Sequence, residues 1–312
     1  MRSKTMKFLL AGPPALIYAL LFAANLVLAG LSPLPVAISE DAWRPLSAHE
    51  DASLEDRLAQ ALKQSSLWQA LISEEKMAVG VVDLADPAAP RFAQINGSTM
   101  MYAASLAKLA ILVAAHWGFE DGTLVETYEI YRDMIEMIRR SDNAATNRMI
   151  DRIGLPRIEA VVAAPTYRLY DLDQGGGIWL GRRFANSREV DPDPLKGLVH
   201  GATVTQVCRF YYLLATGMLI SADRSRQMLH ILSFPDIHDK FVSILERGIP
   251  LGHLYRKSGT WPVWYSDSVL VWDETGGKYI MVAMVENERG EEILSQLVPV
   301  IQHLLNVRES PF

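Results

Sequence analysis

Apolar positions recur along this chain with different periods in different stretches, and the periods predict its elements. Leu54, Leu58, Ala61 and Leu62 share one helical face, which predicts a helix over Leu54 to Ser65. Met77 to Leu84 is nearly unbroken apolar sequence of strand length. Asp86-Pro87 and Ala89-Pro90 mark a turn before a second short strand, Arg91 to Ile95. From Ala104 to Trp117 the sequence is apolar all round and reaches Gly118, the pattern of a helix buried on every side and stopped by glycine. Tyr128 to Ile138, Ala144 to Ile153 and Thr205 to Leu219 read as further helices, punctuated by Gly154, Pro156 and Pro165. Strands return with Ser266 to Trp272 and Tyr279 to Val285 around the turn Glu274-Thr275-Gly276-Gly277, and Glu291 to Leu305 closes the chain as a helix. Strands at both ends with helices between them predict an α+β architecture: one sheet assembled from distant segments, a helical lobe inserted in the middle, and a cleft between the two.

The N-terminus changes this picture. Arg2, Lys4 and Lys7 precede a nearly charge-free run from Phe8 to Gly30, the layout of an export signal. Val27 and Ala29 suit signal peptidase, although the run is also long enough for an anchor that Pro13 and Pro14 would kink. Residues 1 to 29 are therefore expected as a signal peptide or membrane anchor, 30 to 53 as a linker and 54 to 312 as the folded domain, placed in the periplasm or otherwise outside the cytoplasm. Removing 1 to 29 takes away three positive charges and no negative ones, moving the formal net charge from -6 to -9. So acidic a chain, with no basic cluster, excludes nucleic acid as the expected partner. The lone Cys208 reads as a small buried hydrophobe.

Three short motifs carry candidate chemistry. Ser105-Leu106-Ala107-Lys108 places a hydroxyl and an amine three residues apart on one helix face, and Lys108 is the only ionisable side chain between Ser105 and His116. Desolvation there favours the neutral amine, which can act as a base, while the helix start favours an oxyanion at Ser105. The spacing alone is a weak signal, because Ser73-Glu74-Glu75-Lys76 repeats it in a charged stretch that reads as a solvated turn. Ser141-Asp142-Asn143 between two helices is explained equally by helix capping and by a site in which Ser141 relays a proton and Asn143 bonds a substrate amide. Lys257-Ser258-Gly259-Thr260, ahead of the late hairpin, is either an ordinary strand end or an edge where lysine and hydroxyls hold a carboxylate and glycine permits close approach. The conjunction of all three in this order, on a buried helix, a loop and a strand edge, is the specific signal.

On these motifs the chain resembles the class A β-lactamase family from about residue 54 to its end. Thr203-Val204-Thr205-Gln206, the stretch from His238-Asp239-Lys240-Phe241 to Gly248-Ile249-Pro250, and Ser266-Asp267-Ser268-Val269 also look like the family. The resemblance implies a β-lactamase/transpeptidase-like fold: a five-stranded antiparallel sheet flanked by helices beside an all-helical lobe. It implies that Ser105 attacks a carbonyl while the backbone N–H groups of Ser105 and Thr260 hold the oxyanion. Departures accompany it. The family's Glu-x-x-Leu-Asn loop, whose glutamate activates the deacylating water, is absent after Asn143. In its place stands Arg168 to Gly177, in which Asp173 is the nearest substitute base or else a solvated turn carboxylate. The segment between Ser105 and Ser141 is also shorter, which should remove part of one cleft wall.

The glycines 175 to 177 lack the spacing of a phosphate loop, and His116, His200, His230, His238 and His253 read as structural, so no metal or cofactor is expected. Trp261 and Trp264 either line the cleft or pack in the core. The first functional expectation is a monomeric serine hydrolase that forms an acyl-enzyme on Ser105 with a β-lactam or related amide and then hydrolyses it. A D-alanyl-D-alanine peptidase acting on peptidoglycan stem peptides and a non-turnover binding domain are the alternatives.

Overall fold

A computed structural model describes residues 33–184 and 190–307. The export segment expected at residues 1 to 29 lies outside these. Among the described residues the helices are α1 (Ala52–Leu62), α2 (Ser66–Ser73), α3 (Lys108–Glu120), α4 (Tyr128–Arg139), α5 (Asn143–Ile153), α6 (Leu155–Val162), α7 (Val204–Ala215), α8 (Ala222–Leu232), α9 (Lys240–Leu245) and α10 (Gly290–Leu304). The main strands are β1 (Met77–Asp83) and β2 (Arg91–Ile95), with a short β3 (Met101–Tyr102). Three two-residue strands follow, β4 (Tyr170–Asp171), β5 (Gly176–Gly177) and β6 (Trp179–Leu180). Then come β7 (His200–Ala202), β8 (Leu254–Trp261), β9 (Trp264–Asp273) and β10 (Gly277–Glu286).

The main sheet has the order β2-β1-β10-β9-β8, antiparallel throughout, so both ends of the chain meet in it as the pattern predicts. Both of its faces are covered. Met77, Val79 and Val81 of β1 enter a core with α1 and α10, while Ala78 and Val82 enter a larger core with the helical lobe. That double burial is why β1 reads as a continuous apolar run rather than an alternating one.

Boundaries differ where side-chain chemistry overrides periodicity. The helix from Leu54 stops at Leu62 because Ser65 caps the next helix, its Oγ accepting from Trp68 N at 3.3 Å. Gly118 does not stop α3, which runs to Glu120. A Cβ at 118 would lie 2.9 Å from Leu124 Cβ, so glycine serves close packing there. Helix α7 ends at Ala215 rather than Leu219, where Gly217 turns at φ 74° and Met218 N and Gly217 N reach back to Leu213 O and Leu214 O. The expected linker is docked over its described part: Leu34 and Leu46 are buried, and Val36 N donates to Ala215 O at 2.7 Å.

Candidate active site

Ser105 lies in a tight 3-10 turn, Ala104–Ala107, at the entry to α3. Strand β3 feeds this turn, and Ala103 N donates to His200 O at 2.8 Å. Ala104 holds φ 48°, left-handed backbone that costs a residue with a Cβ, so strain is stored immediately before the serine. Ser141 repeats the feature with φ 56°.

The Ser141 loop is built from its flanks. Asp142 is the N-cap of α5, accepting from Ala145 N at 2.6 Å, which releases Ser141 and Asn143 to face the site. Behind the loop, the fully buried Asp133 of α4 accepts from Arg148 and Arg152 of α5 and so fixes the angle between the two helices. Asp142 thus takes the cap, while Asn143 and Ser141 accept hydrogen bonds from Lys108 and Lys257.

Lys108 is fully buried, and its Nζ donates to Ser141 O at 2.6 Å and Asn143 Oδ1 at 2.8 Å, with Ser141 Oγ at 3.4 Å. Lys257 Nζ reaches the same hydroxyl from β8 at 2.9 Å and also donates to Ser258 O at 2.7 Å. The spacing of Ser105 and Lys108 leads one to expect a hydrogen bond between them. None forms, because Asn143 Oδ1 and Ser141 O take the lysine's protons and draw Nζ towards the Ser141 loop.

Burial lowers the Lys108 amine to about 7, against a partial opposing pull from the Asp142 charge. Lys257 is also pushed well below the usual lysine range, first by its complete burial and then by the positive charges of Lys108, Arg256 and Lys240. Two ammonium groups cannot share the Ser141 hydroxyl cheaply, so the pair titrates as a unit with one amine readily neutral.

Strand β8 is the sheet edge beside this cluster. A Cβ at Gly259 would lie 2.3 Å from Ala103 O and 2.8 Å from Ser105 N, so only glycine lets the edge approach the serine turn. Ser266 Oγ ties β9 to the same turn by donating to Ala103 O at 2.9 Å. The backbone around Ser105 N and Thr260 is therefore held against the strand edge. Ser258 is buried on that strand and Thr260 is exposed at its outer end.

Asp173 is not brought to this cluster. Its side chain is 90% exposed and pairs with Arg168 at 3.8 Å, in a short turn whose cap is Asp171. A base must reach the proton that it removes, so the water-activating role expected for Asp173 is corrected to that of a solvated turn carboxylate.

Three residues that sequence reading did not place here adjoin the site. The Phe184 ring lies 4.5 Å from Lys108 Nζ and stacks on His200 at 4.2 Å. His200 Nε2 donates to Arg182 O at 2.9 Å, which leaves Nδ1 to accept weakly from the Tyr102 hydroxyl at 3.4 Å. The histidine is structural, as expected, yet it backs the cleft. Only Tyr102, three residues before Ser105, was within reach of the motifs.

No curated protein sequence matches the chain. Among solved structures it is similar to a β-lactamase from Sphaerobacter thermophilus DSM 20745, at 18% identity over 82% of this chain and 99% of that one, with a TM-score of 0.60. It is also similar to PBP-A, at 18% identity over 82% and 97% with a TM-score of 0.58. An ancestral class A β-lactamase gives 16% over 80% and 99%, with a TM-score of 0.58. These likenesses show a shared β-lactamase/transpeptidase-like fold. The profile of the β-lactamase enzyme family matches residues 125–302, more than half of the chain, including Ser141, Asn143 and Lys257 and beginning after Ser105. On the fold and this match, the chain belongs to the β-lactamase enzyme family, within the superfamily of β-lactamase-like and penicillin-binding serine hydrolases.

Proposed function

We propose that this protein opens β-lactam or related amide bonds by acylating Ser105, and that it releases the acyl group to water slowly. The observation that carries the reading is the convergence of Lys108 and Lys257 on the Ser141 hydroxyl, beside a strained serine turn that the edge strand touches. Neutral Lys108 takes the Ser105 proton as Oγ bonds to the carbonyl carbon. The Ser105 and Thr260 amides stabilise the oxyanion. As the C–N bond breaks, the Ser141 hydroxyl gives its proton to the leaving nitrogen and recovers one from Lys108. A substrate carboxylate at Lys257, Ser258 and Thr260 restores charge to Lys257, and that charge in turn keeps Lys108 neutral. Asn143 bonds the substrate amide.

Slow release has its own support. Among the described residues no carboxylate is hydrogen-bonded to Lys108, Ser141 or Lys257, and Asp173 faces solvent, so Lys108 is the base that remains for the incoming water. A PBP-A variant similar to this chain, at 17% identity over 85% of this chain and 99% of that one with a TM-score of 0.58, was solved as an acyl-enzyme complex with penicillin G. The lack, among the described residues, of a carboxylate base beside the cluster favours, as a second reading, a cell-wall peptidase for which β-lactams are inhibitors.

The test mixes the purified full chain with a chromogenic cephalosporin and follows colour and intact protein mass. A stoichiometric burst, an adduct on Ser105 and slow continuing turnover are expected. Absence of any adduct or turnover overturns the proposal, and release of D-alanine from a stem peptide promotes the second reading.

A further inference from the structure

One face of α5 serves the site twice. Asn143, Asn147 and Asp151 recur every four residues and share that face. Asn143 accepts from Lys108 at 2.8 Å. The other two hold a segment that the acylation chemistry does not use, Arg182 to Phe184. Asn147 Oδ1 accepts from Phe184 N at 2.9 Å and its Nδ2 donates to Phe184 O at 3.4 Å, while Arg183 donates to both carboxylate oxygens of Asp151. From β7, His200 Nε2 donates to Arg182 O at 2.9 Å. Three consecutive residues are thus tied to two elements. An asparagine that satisfies both the N–H and the C=O of one residue fixes the direction in which that residue points.

What the segment points is a phenyl ring. Phe184 packs against the larger core, 4.2 Å from the His200 ring and within 6° of parallel to it, and its own ring centre lies 4.5 Å from Lys108 Nζ. The polar contacts of that amine all come from the Ser141 loop: Ser141 O, Ser141 Oγ and Asn143 Oδ1. Towards Phe184 it meets carbon. A water that gives a proton to Nζ must come within about 3 Å of it, and the 4.5 Å between amine and ring centre leaves no room for one.

Resting on the acylation and slow-release reading above, we infer that Phe184, held by Asn147, is a barrier that keeps water from Lys108 and so sets the lifetime of the acyl-enzyme. Release needs a water whose oxygen adds to the acyl carbon while Lys108 takes its proton. The bond from that carbon to Ser105 Oγ then breaks, Oγ recovers the proton from Lys108, and the free acid departs. Acylation needs no water, because the proton that Lys108 takes there comes from Ser105 itself. The ring therefore permits the first half of the reaction and obstructs the second.

The experiment acylates the full chain with penicillin G, removes the excess and follows intact mass: growth of the Ser105 adduct gives the acylation rate, its decay the release rate. Phe184→Ala is expected to speed release about tenfold while changing acylation less than about threefold, with Phe184→Leu, still apolar and bulky, recovering most of the lifetime. Asn147→Ala, which frees the segment without touching the ring, should speed release about threefold, and it decides the matter if Phe184→Ala does not fold. Damage to the fold slows both steps, so faster release at an unchanged acylation rate is a readout that a merely structural role would not give. Release unchanged or slowed in the folded variants, or a fall of both rates together, overturns the barrier while leaving acylation intact. An unmodified protein that sheds the acyl group as fast as it gains it overturns slow release and the barrier with it, and one that never acquires the adduct overturns the acylation reading itself.

Discussion

The same four-residue spacing occurs twice in this chain with opposite outcomes. Ser73 closes α2, and Lys76 pairs in solvent with Glu74 at 2.8 Å, which raises the lysine above its ordinary value. Ser105 lies in the 3-10 turn that leads into α3, and Lys108, fully buried with no carboxylate bonded to it, is lowered to about 7. Both stretches place a serine hydroxyl three residues before an amine. Only the second strips water from the amine and surrounds it with neutral oxygens, so burial rather than spacing favours the neutral amine.

The sharpest test of the contrast is deletion of each hydroxyl. Ser105→Ala should abolish covalent labelling by a fluorescent penicillin, a loss of about a thousandfold or more, with the thermal transition retained. Ser73→Ala should label as the unmodified protein does. Equal labelling of the two variants would show that the wrong serine has been assigned.

Next come the amines. Lys108→Met should lower the acylation rate by roughly a hundred- to ten-thousandfold, the usual contribution of a positioned base. Lys76→Met should leave it unchanged. Stopped-flow quenching by a penicillin measures both, and a Lys108 variant of full activity would move the base elsewhere in the site.

A third test asks whether close approach of the edge strand matters as much as the base. Gly259→Ala places a methyl against Ala103 O and Ser105 N, backbone atoms that yield only if the serine turn moves. Acylation should fall on the order of a hundredfold, because misplacement by an ångström is costly. Stability should fall by roughly 1–3 kcal/mol. Chemical denaturation beside the rate measurement separates the two effects, and an unaffected rate would detach β8 from the oxyanion.

These residues also show what sequence could disclose. The strand Met77–Asp83 was legible as a near-continuous apolar run and Arg91–Ile95 by the proline turn before it, and the helix from Tyr128 was legible because its buried residues recur with helical period. Lys108, Ser141, Asn143 and Lys257 were legible as motifs and do converge. Their hydrogen bonds were not, since the bond from Lys108 to Asn143 rather than to Ser105 depends on how α3 and α5 pack. Phe184, His200 and Tyr102 meet across sequence separations that no local pattern records, and the choice between base and solvated carboxylate at Asp173 stayed open in the sequence because only the fold of the short turn holds the side chain outward.

The smallest effect sharpens the comparison most finely. If Lys108 acts as the neutral base, acylation rises with pH through about 7 and levels above it, falling tenfold per unit on the acid side. Asp142 is the charge that holds the amine up against desolvation, and it also caps α5. Asp142→Asn removes the charge while asparagine keeps the cap, so the helix survives. Without that negative neighbour the ammonium form is less favoured, and the midpoint of the pH–rate profile should move downward. An upward move would mean that the group being titrated gains from losing a carboxylate neighbour, which Lys108 cannot do.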